Sequence, residues 1–248
     1  MSIRTFILTL IGILLTVAIY PQTPSYYHYT SSDGLASSTV YQIIQDRDGF
    51  IWFATANGIS KFDGNRFITF RTVDGLNSNS IISLVENKNG ELYIGNFEKG
   101  INVLKNGTIS NYYSDIYGKQ LSISFLMLLS QEDDEQKLIA YGRWGEINII
   151  SEKESAGLTS SIIKNSSLQI NKLEKLQNGN IMALTTAGLY QLKDSLFSKV
   201  PINGLSDTVI YCLSNSNDGS YVIGTTNSKD QIEFFDELTP IFEDTRIN

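Results

Sequence analysis

DGLASSTVYQIIQDRDGFIWFATANGISKFDGNRFITFRTVDGL, residues 33–76, begins and ends on the same three letters. Asp33-Gly34-Leu35 returns as Asp74-Gly75-Leu76, 41 positions on, and at that same interval Gly49 returns as Gly90 and Trp52 as Tyr93. Inside the stretch an apolar run (Val40–Gln45) meets a turn (Asp46–Gly49). A second run (Phe50–Ala54) leads to a Gly-led third (Gly58–Phe62), and Asp63-Gly64 turns the chain into a fourth (Arg66–Phe70). The next unit repeats the order with Ile81–Glu86, Asn87–Gly90, Glu91–Gly95, Gly100–Leu104, Asn106-Gly107 and Thr108–Tyr112. Asp-Gly and Asn-Gly tolerate the positive φ that tight hairpin turns require. Each unit therefore reads as four short antiparallel strands. Ile51/Phe53 and Leu92/Ile94 alternate as half-buried strands do, while other runs are apolar throughout, as packing on both faces demands.

The pattern continues with drift. Asn178-Gly179, Ile181–Leu184 and Gly188–Leu192 repeat the middle of a unit; Asn203-Gly204-Leu205, Val209–Leu213, Asp218-Gly219 and Tyr221–Gly224 repeat its first half. The 89 residues from Gly90 to Gly179 hold two units, the acidic insertion Gln131–Gln136 standing for the missing turn between Leu121–Leu129 and Lys137–Gly142. The count is five units, approximately 33–73, 74–115, 116–160, 161–200 and 201–243, the third the most divergent. A period of about 40–45 residues with four strands per unit predicts an all-β chain folded as a β-propeller.

Composition narrows the function. A chain of 248 residues with 42% hydrophobic content buries a sizeable core, and a net charge of −7 repels phosphate backbones, so no nucleic-acid partner is expected. The one cysteine, Cys212, excludes an internal disulfide and a cysteine metal cage; the one histidine, His28, argues against His-based triads and multi-His zinc sites. No metal or cofactor is expected. Arg4 followed by the apolar Thr5–Tyr20 and by Pro21 describes a secretory signal, with an uncleaved membrane anchor as the alternative for residues 1–20. The propeller, residues 21–248, is expected in the periplasm or otherwise exported.

Asp33-Gly34-Leu35, Asp48-Gly49, Ile51-Trp52, Thr55, Gly58, Phe62-Asp63-Gly64 and Phe67 together resemble the two-component regulator propeller repeat. The second unit matches it at Asp74-Gly75-Leu76, Asn89-Gly90, Leu92-Tyr93, Gly95 and Gly100, and the later units only in part. That resemblance implies the exported sensor region of a hybrid two-component system or membrane histidine kinase, non-catalytic in itself, with oligosaccharides as the ligands of the best-known branch. The kinase module would lie downstream or on a separate membrane protein, and homodimerisation is compatible with such a sensor. Tyr26–Tyr29, with His28 among them, have the phase of an outermost strand. Since unit five has its own fourth run in Ile241–Glu243, an incomplete, open ring of a larger propeller is expected, a closed five-blade ring being the alternative.

Propeller topology gathers the connections between second and third strands, and those entering each unit, on one face. Asn57, Phe97, Lys99, Arg143, Trp144 and Lys229 occupy such connections and are the candidate ligand-binding residues: aromatic rings stack on apolar sugar faces, and guanidinium, ammonium and amide groups supply donors. Other features read as structure. Asp46-Arg47-Asp48-Gly49 resembles the start of a calcium loop but lacks the distal bidentate Glu, so a hairpin turn is expected. Trp52 and Tyr93 share a strand position and read as core, Cys212 as a small buried residue, and Glu132–Glu135 as a solvated turn rather than a glycosidase pair. The expected function is an oligosaccharide-sensing propeller. A secreted propeller lyase or hydrolase and an exported protein-interaction scaffold are the alternatives.

Overall fold

The alternation of apolar runs and Gly-bearing turns produces, in a computed structural model of the protein, one small antiparallel sheet after another. The structure describes residues 26–113, 115–116, 119–120, 122–131, 135–142, 146–153, 157–164, 168–176, 179–193, 196–202, 209–215, 221–226 and 232–236. Sheet one is β1 (Val40–Gln45), β2 (Ile51–Thr55), β3 (Gly58–Phe62) and β4 (Phe67–Phe70); sheet two is β5 (Ile81–Glu86), β6 (Leu92–Asn96), β7 (Ile101–Lys105) and β8 (Thr108–Tyr113). A two-stranded ribbon, β9 (Asp115–Ile116) with β10 (Lys119–Gln120), precedes sheet three: β11 (Ile123–Gln131), β12 (Glu135–Gly142), β13 (Glu146–Lys153) and β14 (Gly157–Lys164). Sheet four is β15 (Ile170–Lys175), β16 (Ile181–Thr185), β17 (Gly188–Lys193) and β18 (Leu196–Lys199), and sheet five holds β19 (Ile210–Asn215), β20 (Tyr221–Thr226) and β21 (Ile232–Asp236). Strand order follows chain order in every multi-stranded sheet except the ribbon, whose two strands only pair with each other.

The first strands of consecutive sheets lie against one another, β1 on β5, β5 on β11, β11 on β15 and β15 on β19. Sheets standing side by side through their first strands form a radial array, so each sheet is a propeller blade. Each of the four seams has its own apolar cluster. Trp52, Ala54 and Ile59 meet Ile81, Leu84 and Ile94 between blades one and two; Tyr93, Ile101 and Val103 meet Ile123, Leu126 and Leu138 between two and three. Two further clusters fill the seams between blades three and four and between four and five. Among the described residues the four seams do not close into a ring. Accordingly β6, packed between two blades, is buried along its whole length, whereas β2 alternates, Ile51 and Phe53 being only half-buried on the side away from blade two.

Every first strand carries a register shift just after its first residue: Val40/Gln42, Ile81/Ser83, Ile123/Phe125, Ile170/Lys172 and Ile210/Cys212. Such a bulge inserts one residue and moves the side-chain alternation by one step. It also serves the seams. Gln42 Oε1 accepts from Leu84 N at 2.6 Å, and Ser83 Oγ accepts from Leu126 N at 3.0 Å, so the bulge residue of one blade takes a backbone donor of the next.

Three expectations need correction. Cys212 is exposed, not buried: the bulge puts Ile210 and Leu213 into the seam with blade four and leaves Tyr211 and Cys212 facing away. Tyr26–Tyr29 form no strand, and His28 is exposed; Tyr29 packs its ring on Phe62 of β3 and Phe67 of β4 at 5.0 and 5.4 Å. The acidic insertion is shorter than expected, because β11 continues through Gln131 and β12 begins at Glu135. Glu132–Asp134, residues 1–20 and Ile241–Glu243 lie outside the described residues. No helix among the described residues is long and apolar enough to cross a membrane.

Asp46–Gly49 is a hairpin turn. Asp46 Oδ1 accepts from Asp48 N and Phe50 N at 3.1 and 2.8 Å, and Oδ2 accepts from the Trp52 indole at 2.7 Å, which occupies the carboxylate that a calcium loop would turn on a cation. Trp52 is core: it is 4% exposed and stacks on Phe70.

Candidate functional site

The face that carries the candidate residues is built from the Asp-Gly-Leu turns upward. Asp33 Oδ2 accepts from Thr30 N and Thr30 Oγ1 at 2.7 and 2.9 Å, and those donors hold its exposed carboxyl below the ordinary range. Asp74 Oδ2 likewise accepts from Arg71 N at 2.8 Å. Gly75 follows in the left-handed region at φ 108°, where an added Cβ would stand 2.7 Å from the Ile109 carbonyl oxygen, so the position requires glycine. Leu35 and Leu76 then bury their side chains. The next backbone donor is received by the third strand: Ala36 N donates to Ser60 Oγ and Asn77 N to Asn102 Oδ1, both at 2.9 Å. In blades one and two the tripeptide is thus a capped turn that locks the entering segment onto its own blade.

The connections between second and third strands rest on those entering segments. In blade one Ala56 N donates to Thr39 O, while Gly58 N reaches across the seam to Asn79 O. In blade two Phe97 N donates to Ser80 O, the carbonyl next to the one Gly58 uses. Asn77 Nδ2 donates to Lys99 O at 2.9 Å, and Ser122 Oγ donates to the Phe97 carbonyl. Asn57, Phe97 and Lys99 therefore flank one segment, residues 77–80. Asn57 and Lys99 are exposed and the Phe97 ring is half-buried. Arg143, Trp144 and Lys229 lie between β12 and β13 and between β20 and β21, outside the described residues.

Sequence reasoning missed the asparagines beneath this face. Asn96 and Asn102 are fully buried, and Asn102 Nδ2 donates to Gly75 O, Asn77 Oδ1 and Ser110 O while its Oδ1 accepts from Asn96 Nδ2. Asn77 Nδ2 also reaches Asn111 Oδ1. A polar residue inside an otherwise apolar strand, as in Ile101-Asn102-Val103, is the signal that could have found them. The network is saturated, so it is a rigid floor and not a reactive site. Above it stand an amide, an ammonium and an aromatic ring, groups that suit a hydroxyl-rich ligand. Among the described residues no cluster of three or more His, Cys, Asp and Glu could hold a metal ion.

Residues 34–57, the capped turn and the first two strands of blade one, match the two component regulator propeller family. Those 24 residues are similar to a two-component regulator propeller repeat. A stretch of 43 residues, 17% of the chain, is 44% identical to histidine kinase P4 of Formosa agariphila and covers 3% of that protein. Two structures of an extracellular domain from B. thetaiotaomicron, described as belonging to a one-component and to a hybrid two-component system, superpose with TM-scores of 0.61 and 0.59 at 18% identity. They cover 86% and 79% of this chain, which spans 28% and 27% of theirs. Catalytically inactive H270A virginiamycin B lyase of Staphylococcus aureus, solved with quinupristin, aligns at 16% identity and TM-score 0.58, over 87% of this chain and 75% of the lyase. The chain thus shares its blade architecture with both an extracellular domain and a lyase.

Proposed function

We propose that this regulator propeller is the exported, non-catalytic sensing part of a two-component signal-transduction system. It recognises an oligosaccharide on the face bearing Asn57, Phe97 and Lys99, joined there by Arg143, Trp144 and Lys229, and signals to a histidine kinase module beyond these residues or on a separate membrane protein. The observation that carries the reading is the family match at residues 34–57, in which Gly34 takes the left-handed turn, Leu35 is buried and Ala36 N donates to Ser60 Oγ. The extracellular neighbours and the short kinase likeness support the same direction.

The test is calorimetric titration of the purified full chain with an oligosaccharide panel, with product analysis of each mixture. Saturable binding without turnover, weakened about tenfold in Lys99→Ala and Trp144→Ala, is the expected outcome. Binding indifferent to Asn57→Ala, Lys99→Ala and Trp144→Ala together would remove the site. The lyase likeness favours a second reading, a propeller enzyme. The only histidine here, His28, is exposed and precedes the first blade, which weighs against it. New product in the same mixtures, with or without divalent metal, would favour the enzyme.

A further inference from the structure

The opposite face of the array, where the first-to-second and third-to-fourth strand turns lie, holds a cleft of about 200 Å3 between blades one and two. Trp52, Phe70 and Leu104 line its floor, and Asp46, Asp48 and Glu86 bring carboxylates to its sides. The Asp46 carboxylate is bound by backbone donors and by the Trp52 indole, and Glu86 Oε2 accepts from Arg47 N, so these groups are fixed in place. Lys61 lines the cleft, and the Arg47 guanidinium runs along its Gly90 edge, donating to Lys88 O. Lys61 Nζ lies 3.5 Å from the centroid of the Phe50 ring and 5.3 Å from that of Trp52. An ammonium over the Phe50 ring at the edge of the cleft, and facing the Trp52 ring that lines it, is close to the arrangement by which proteins hold organic cations. The matching residue of blade two is Val103, which pairs with Tyr93 as Lys61 pairs with Trp52, so the fold does not need a lysine at this position.

We propose that this cleft is a binding site for a small organic ammonium ion, and that Lys61 is its tethered competitor, occupying the aromatic seat until a free cation displaces it. Three carboxylates against the Lys61 ammonium and the peripheral Arg47 guanidinium leave the walls negative, and the floor supplies an apolar and π-rich surface; together they select a cation with a greasy head group over an inorganic ion, which the rings desolvate poorly. Displaced, the Lys61 ammonium swings to solvent on its flexible stem. The site lies on the face away from Asn57, Phe97 and Lys99 and stands whether or not an oligosaccharide binds there.

The test titrates the full chain calorimetrically with choline and with its neutral isostere 3,3-dimethylbutan-1-ol. Lys61→Ala is expected to bind choline about tenfold more tightly than the wild type, with the neutral isostere bound by neither. Glu86→Gln and Asp48→Asn added to Lys61→Ala should reverse the gain. Lys61→Val, which copies the residue of blade two, provides a second unblocked variant, and circular dichroism melting checks that each variant is folded. Equal binding of choline and its isostere, or no gain in both folded Lys61 variants, would overturn the proposal.

Discussion

The seam between blades one and two and the seam between two and three use the same backbone register and differ in what surrounds their apolar clusters. Moving 41 positions along the chain, Asp46 becomes Asn87, Phe50 becomes Glu91, Trp52 becomes Tyr93 and Ala54 becomes Gly95. The first seam is aromatic: Trp52 stacks on Phe70 with ring centroids 6.0 Å apart, and a hollow remains beside it. The second adds polar side-chain bonds to its apolar cluster. Tyr93 meets Tyr112 edge-on at 4.8 Å, Tyr93 OH donates to Glu91 Oε2 at 3.2 Å, and Tyr112 OH donates to Glu152 Oε2 at 2.9 Å. Asn87 Nδ2 joins Glu91 to Gln136 of blade three, and Lys105 pairs with Glu91 at 2.5 Å. The blade frame tolerates either filling because the bulge and the capped turn, and not the seam side chains, set the register.

The largest effect expected from breaking this contrast comes at Gly95. A Cβ there would stand 2.8 Å from Ile123 Cγ2 and 3.1 Å from Leu126 Cδ1, so Gly95→Val should cost about 3 kcal/mol in denaturant unfolding. Ala54→Gly, which makes the first seam like the second, should cost only about 1 kcal/mol. Equal tolerance of the two would mean that the second seam is no tighter. Next comes Asp46→Ala, which strands two backbone donors and an indole N–H and should lose about 2 kcal/mol, read as a lower melting temperature.

Much of this contrast was legible in the chain. The 41-residue echo announced the blades, and Asp-Gly-Leu announced the entering turns, because a capping carboxylate and a left-handed glycine are local requirements written in local residues. Cys212 was misjudged because a bulge has no compositional mark, and one inserted residue reverses which neighbour is buried. Blade three was blurred since its strands run to nine residues in β11 and lack the Gly-bearing turn between β11 and β12. Of the candidate site, the position of Asn57, Phe97 and Lys99 in the loops followed from topology. The asparagine floor did not, since each member draws its meaning from a partner up to 34 residues away.

Two smaller effects concern protons. Burial raises Tyr93 and Tyr112 above the ordinary tyrosine value of 10.0, and the neighbouring carboxylates Glu91 and Glu152 add to the rise. A raised value in the folded state means that the stabilisation is whole below the unfolded value and is lost as the pH climbs through the folded one. In an alkaline absorbance titration these two phenols should ionise last, together with unfolding; Tyr112→Phe should remove one of them from that late phase. Glu91 moves the other way. Burial pushes it up, but Lys105 and Asn87 outweigh that and hold it below 4.5, so its contribution is present above that value and fades as the pH falls through the lowered one. Glu91→Gln should flatten the acid limb of the stability curve slightly, measured by urea midpoints between about pH 3 and 6.

The handshake by which Gln42 and Ser83 each receive a main-chain donor of the following blade has a directional meaning. A blade carries its own donor and borrows its acceptor from the predecessor. Phe125 and Lys172 stand where Gln42 and Ser83 do, with side chains that accept nothing, and blade four contacts blade five instead through Asn171 Nδ2 donating to Ile210 O. Duplicated modules of this kind are consequently not freely interchangeable. Transplanting blade three behind a lysine or phenylalanine would orphan the Leu126 amide, so the order in which the copies follow one another is itself inherited information.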